Sequence, residues 1–262
     1  MSGADRLSAT ALAAAVRSGE TTARAVIEDV VARLDAYDAI QSAVWISRFD
    51  PDQLRGAADR IDARVGSGEH LPLAGVPFAV KDNIDVAGLA TTAACPAFAY
   101  TPGRSATVVE RLVAAGAIPV GKTNLDQFAT GLNGTRSPYG APRNAYNRAW
   151  ISGGSSSGSA VAVAAGLVAF ALGSDTAGSG RVPAAFNHLY GLKPTRGRWS
   201  SRGLVPACRT LDCISVFTGS TADAAAVDAV VAGFDAEDSF SRVLPDVARA
   251  PRRIGVPRAD QR

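Results

Sequence analysis

Apolar and polar positions along this chain follow two periods, and the switches between them mark its elements. Val26, Ile27, Val30, Val31, Leu34 and Tyr37 recur at helical spacing, which predicts a helix with one buried face. Val44-Trp45-Ile46 reads as a short strand, and Leu54, Ile61 and Val65 predict a second amphipathic helix that Gly66 can end. Val76-Pro77-Phe78-Ala79-Val80 is an apolar run that stops abruptly at Lys81-Asp82-Asn83. A charged cluster at the end of a buried strand is where α/β sheets tend to place chemistry. Thr107-x-x-Glu110 reads as a capping box opening a helix, which Gly116 can close before a strand over 117–120.

The middle third is the least ordinary. Gly153-Gly154-Ser155-Ser156-Ser157-Gly158-Ser159 leads into an unbroken apolar stretch over 160–168 that reads as a helix. A strand is expected over 169–172, ending in a second small-residue run, Gly173-Ser174-Asp175-Thr176-Ala177-Gly178-Ser179-Gly180. A later helix fits 222–231, and a strand-like segment at 253–256 precedes the last residue, Arg262. There is no internal repeat and no long linker. The alternation argues an α/β fold in one continuous domain over 1–262.

Composition narrows the function classes. Of the 262 residues 47% are apolar and 19% charged, which suits a globular domain. The net charge is only +3, with Lys and Arg scattered, so charge gives no argument for nucleic acid or an anionic membrane as partner. Cys95, Cys208 and Cys213 are odd in number and lack a C-x-x-C pair, which argues against a disulfide framework or a zinc site and for reduced thiols. The first twenty residues lack a basic flank and offer only a short apolar stretch before Arg17, unlike a secretory signal or a membrane span. A cytoplasmic protein is expected.

Three motifs compete for the chemistry. Gly116-Ala-Ile-Pro-Val-Gly121-Lys122-Thr123 satisfies the phosphate-loop pattern G-x-x-x-x-G-K-[ST]. That loop needs a bend whose N–H groups converge on phosphate, preceded by a strand. Here the four central residues are apolar and a helical pattern comes first, so a buried strand bracketed by glycines is the plainer reading. Gly154-x-Ser156-x-Gly158 matches the nucleophile elbow of α/β-hydrolases, which wants a strand before it and Asp and His after it. The preceding segment, 147–152, is too polar for a central strand, and His188 is the one histidine downstream. The third reading joins both Ser/Gly-rich runs to Lys81. A serine hydroxyl needs a base within hydrogen-bond reach. Without a credible histidine, a lysine can serve if burial leaves its amine partly neutral, with a second serine bridging to the nucleophile. Small residues at Thr176-Ala177-Gly178-Ser179 suit N–H groups turned toward an oxyanion. The plain alternatives are a flexible linker for the Ser/Gly run and a solvated lysine for Lys81.

The stretch from Gly153 to Ala184, GGSSSGSAVAVAAGLVAFALGSDTAGSGRVPA, together with GVPFAVKDNID around Lys81, resembles the amidase signature family. The resemblance covers most of the chain from about Leu73 to Gly219. It implies an α/β fold with a mixed β-sheet flanked by helices on both faces. It also implies a catalytic lysine at Lys81, a bridging serine held by a non-proline cis peptide at Ser155, and an acyl-carrying nucleophile at Ser179. Thr176, Ala177 and Gly178 would supply oxyanion-hole N–H groups with Ser179. Arg181 would either neutralise a substrate carboxylate or form a structural ion pair. No metal or organic cofactor is implied, and the substrate would be a small amide. TTAACPAFAYTP, GKTNLDQFATGL, GTRSPYGAPRNA and VPACRTLDC are similar to the family's allophanate hydrolase group. Alternatives are an amidase of the tRNA amidotransferase A-subunit kind, an inactive remnant, or a nucleotide binder. Family domains are longer, so a C-terminally incomplete domain is expected, with a missing C-terminal portion or a homodimer as its complement.

Overall fold

The computed structural model describes residues 6–244 and 258. Six strands form one sheet: β1 (Trp45–Arg48), β2 (Pro77–Lys81), β3 (Ile118–Thr123), β4 (Phe170–Asp175), β5 (Tyr190–Leu192) and β6 (Cys213–Thr218). Their order across the sheet is β1-β3-β2-β4-β6-β5. The central strands β3, β2 and β4 run parallel, whereas β1, β6 and β5 join antiparallel. The sheet is therefore mixed, as the resemblance implies.

Strand alternation sorts the core into two layers. Ala79, Ala171 and Phe217 belong to one apolar cluster, with α2 (Ala23–Asp38), α3 (Pro51–Gly66) and α5 (Ser157–Ala164). Phe78, Val80, Phe170, Leu172 and Val216 belong to the other, with α1 (Ala9–Ser18), α4 (Thr107–Ala114) and α7 (Thr221–Val231). Successive side chains of a strand point to opposite faces, so both faces need cover and both are covered by helices. Phe78 and Phe170, paired across β2 and β4, stack at 5.1 Å. Every residue of α5 is buried, which is why its sequence has no polar face. A further short helix, α6 (Arg181–Phe186), follows the turn after β4.

Several sequence expectations shift. Helix α1 lies where the sequence pattern offers only a short apolar stretch. The capping box at Thr107 is not formed: Ala106 is the cap, and the Thr107 hydroxyl donates to Asp235 at 2.6 Å. With Thr107 as the first helical residue, Glu110 sits one place too far along to reach back, and it pairs with Arg104 and Arg202 instead. Gly116, at φ 96°, does close α4. Helix α5 is shorter than the apolar run, because Gly166 turns left-handed at φ 69°. Strand β4 is longer than expected, because its ladder with β6 continues to Asp175 opposite Cys213. The strand expected at 253–256 lies outside the described residues. Among the described residues no helix is long and apolar enough to cross a membrane.

Gly121, Lys122 and Thr123 lie within β3, paired to β2, so the phosphate-loop pattern has no loop. Lys122 is wholly buried, with Nζ 3.0 Å from Asp82 Oδ1 and 3.0 Å from Thr91 Oγ1. Removing one partner of a buried ion pair strands the other charge, so Lys122→Met is expected to cost roughly 3–5 kcal/mol of stability. Thermal melts with and without ATP and magnesium should show that loss and no nucleotide protection in either protein. Protection of the wild type that disappears in the variant would restore the nucleotide reading.

Candidate active site

Three loops meet beyond the C-terminal ends of the parallel strands. Lys81 is the last residue of β2, Ser155 precedes α5, and Ser179 follows β4. All three are buried, Ser179 being 4% exposed.

The Ser155 turn is fixed by the segment after β3. The Gly154–Ser155 peptide is cis. The Ser155 carbonyl accepts the Asp126 N–H at 3.0 Å, and the Gly154 N–H donates to the Leu132 carbonyl at 2.7 Å. The Asp126 carboxylate in turn accepts the N–H groups of Gly134 (3.0 Å) and Arg136 (2.8 Å). Position 154 must be glycine, since a Cβ there would lie 2.2 Å from Asp126 Oδ2 and 2.6 Å from the Gly134 nitrogen. Phe128 and Ala129 of this segment, and Ala93 and Ala94 beside it, are non-glycine residues at positive φ. Such backbone is costly and persists where hydrogen bonds fix it, as the Phe128 N–H to Ala93 (2.9 Å) and Gln127 Nε2 to Ala94 (2.9 Å) do here.

Lys81 Nζ donates to Ser155 Oγ and to Ser174 Oγ, each at 2.8 Å. Burial pulls the amine down to about 7, while Asp126, Asp175 and Asp212 act in the opposite sense. An ammonium deprived of water is disfavoured, so near neutral pH a large fraction of Lys81 is a free amine able to accept a proton.

The Ser179 turn is organised by one carboxylate. Asp175 accepts the N–H groups of Gly178 (2.8 Å), Gly180 (3.1 Å) and Arg181 (3.2 Å), and both Nε (2.9 Å) and Nη2 (3.0 Å) of Arg181. Burial works to raise its pKa, but Arg181 and the two glycine N–H groups outweigh this and hold it below the usual carboxylate range. Two expectations change as a result. The Gly178 N–H is occupied by Asp175, so it is not an oxyanion donor in this arrangement. The N–H groups of Thr176, Ala177 and Ser179 meet no acceptor among the described residues and remain available. Arg181, left with two roles by the sequence, forms the ion pair, its side chain 55% exposed.

The site also uses residues that sequence reasoning passes over. Ser174 and Asn83 are hydrogen-bonded to each other at 3.1 Å beside Lys81. Asp212 accepts the Thr176 hydroxyl and the Ala207 and Cys208 N–H groups, tying the Ser179 turn to the segment before β6. The available signal is the strand end Gly173-Ser174-Asp175, whose alternation is hidden when these small residues are read as a turn. His188 is exposed, at φ 52°, with its ring edge-on to Tyr146, so no histidine-based elbow is assembled. No hydrogen bond joins Ser179 to Ser155 or Lys81 in this structure. Among the described residues no group of three or more His, Cys, Asp or Glu is placed to hold a metal ion.

Known proteins share the family and the fold. The family model Amidase matches residues 26–261. The urea amidolyase of Saccharomyces cerevisiae is 60% identical over 180 residues, 69% of this chain and 10% of that protein. The glutamyl-tRNA(Gln) amidotransferase A-subunit of Deinococcus deserti is 46% identical over 241 residues, 92% of this chain and 49% of that one. A solved structure of Kluyveromyces lactis allophanate hydrolase superposes with a TM-score of 0.80 at 49% identity, covering 87% of this chain and 37% of that one. The chain thus spans half or less of the length of each of these relatives.

Proposed function

The chain belongs to the amidase family, and on that premise we propose that it hydrolyses a small amide, allophanate, through an acyl-enzyme on Ser179. The observation that carries the reading is the buried Lys81 amine, 2.8 Å from Ser155 Oγ and depressed to about 7. Lys81 is the base, Ser155 the relay and Ser179 the nucleophile. Ser179 Oγ attacks the terminal amide carbonyl while its proton passes to Ser155 and the Ser155 proton to Lys81. The Ser179–Ser155 contact closes in the substrate complex, as catalytic hydrogen bonds commonly do. The oxyanion is met by the N–H groups of Thr176, Ala177 and Ser179. The proton then returns along the same path to the departing nitrogen, releasing ammonia. Water attacks the acyl-enzyme by the reverse relay, leaving a dicarboxylated imide that loses carbon dioxide.

Allophanate is preferred because identity is higher to the yeast urea amidolyase than to the amidotransferase relative, 60% against 46%. The second reading, an amidase of the amidotransferase A-subunit kind, draws on the longer match to that relative, 92% of this chain. An ammonia-release assay on allophanate, malonamate and glutamine separates them. Release from allophanate above the others is expected. Release from glutamine alone would favour the second reading. No release from any amide, with no labelling by a fluorophosphonate, would overturn both.

A further inference from the structure

The Lys81 amine has two hydroxyl partners, and the proposed relay uses one of them. Ser174, the other, lies inside β4 with 2% of its surface exposed. Its oxygen receives Lys81 Nζ at 2.8 Å and Asn83 Nδ2 at 3.1 Å, and Asn83 Nδ2 also reaches the Val205 carbonyl at 3.3 Å. A base must aim its lone pair. The terminal C–N bond of a lysine is a soft rotor, and a neutral amine carries two N–H groups and one lone pair. Pinning one N–H to a fixed acceptor restricts the direction of the lone pair. Ser174 is suited to that, being on a central strand and itself held by Asn83 from the other side.

We propose that Ser174 is a positioning residue for the base, its hydroxyl oxygen taking one Lys81 N–H so that the amine's lone pair faces Ser155. The proposal rests on the reading of Lys81 as the base. It has a consequence that plain structural support lacks. A hydroxyl oxygen binds an ammonium more strongly than an amine, so Ser174 favours the charged form of Lys81. The charged groups acting on the amine come from three segments: Asp126 after β3, Asp175 at the end of β4 and Asp212 before β6. All three remain when Ser174 is changed. Loss of the hydroxyl therefore moves the Lys81 midpoint down, while the misaimed amine slows proton transfer.

The test is the rate of labelling of the full chain by a fluorophosphonate, measured against pH. The wild type should rise to a plateau through about pH 7. Ser174→Ala should lower the plateau about tenfold or more, a typical share for one element of general-base catalysis, and move the midpoint to lower pH. Ser174→Thr, which keeps the hydroxyl, should restore both. Ser174→Cys fills nearly the same space with a weak acceptor and should behave like alanine, so it decides the matter if alanine does not fold. Labelling of the alanine or cysteine variant at the wild-type rate, or slowed with an unmoved midpoint, would overturn the positioning role while leaving Lys81 as base. A wild type that is not labelled at any pH would instead overturn the underlying reading, and this proposal with it.

Discussion

Ser179→Ala is expected to abolish both ammonia release and covalent labelling, because it removes the oxygen proposed to carry the acyl group. In serine hydrolases the loss of the nucleophile costs on the order of 10⁶ in turnover, about as much as loss of the whole triad. The protein should otherwise be intact. Ser179 makes no side-chain hydrogen bond among the described residues, and its turn is held by Asp175 acting on the neighbouring Gly178, Gly180 and Arg181. An unchanged melting temperature with no turnover is therefore the expected pair of results. Residual labelling at the wild-type rate would place the nucleophile elsewhere, with Ser155 the first residue to examine. Ser155→Ala combined with Lys81→Ala should be little worse than the poorer single change, since residues passing one proton act as a unit.

Lys81→Met is expected to remove activity and, unusually, to stabilise the fold. The sign follows from proton linkage. A lysine at about 7 in the folded protein titrates near 10.4 when unfolded. Between those values the unfolded chain holds more protons, so the lysine opposes folding, and its opposition fades as pH rises through that window. A shift of this size corresponds to a few kcal/mol at neutral pH, at ~1.4 kcal/mol for each pKa unit. Methionine has a similar length and no charge to desolvate. Its melting temperature should exceed that of the wild type at pH 7, and the gap should narrow toward pH 10. Activity of the wild type should run the same way, lost as pH falls below about 7 and the amine becomes protonated. A Lys81→Met protein less stable than wild type across this range would mean that the amine is charged in the fold, held by Asp126, Asp175 and Asp212, and could not be the base.

The periodic segments were legible because helix and strand periods are local properties of the chain. Ile27 and Val30 mark α2 whatever lies across the sheet, and Phe78, Ala79 and Val80 mark a strand buried on both faces. The ends of elements were less legible. Thr107 and Glu110 have the right spacing for a capping box, but the helix begins one residue earlier than that box requires, with Ala106 as its cap, and Asp235 claims the Thr107 hydroxyl. Lys122 satisfied a motif whose context was absent, and the ladder with β2 decided its conformation.

For the site, the residue pattern pointed to Lys81 at a strand end and to two Ser/Gly-rich turns, and the family resemblance singled out Ser155 and Ser179 within those turns. Their surroundings depended on contacts that no local pattern encodes. Ser155 and Ser174 reach Lys81 across 74 and 93 residues of chain. Parallel strands require long crossovers, so groups brought together at their ends are necessarily distant in sequence. Only the fold decided that the Lys81 amine is dry, that Ser174 is its second partner, and that Asp175 takes the Gly178 N–H and the Arg181 guanidinium. Burial and competition for hydrogen-bond partners are properties of the assembled loops. The residues proposed to carry the chemistry were thus readable one by one, while the surroundings of the Lys81 amine were set by tertiary packing.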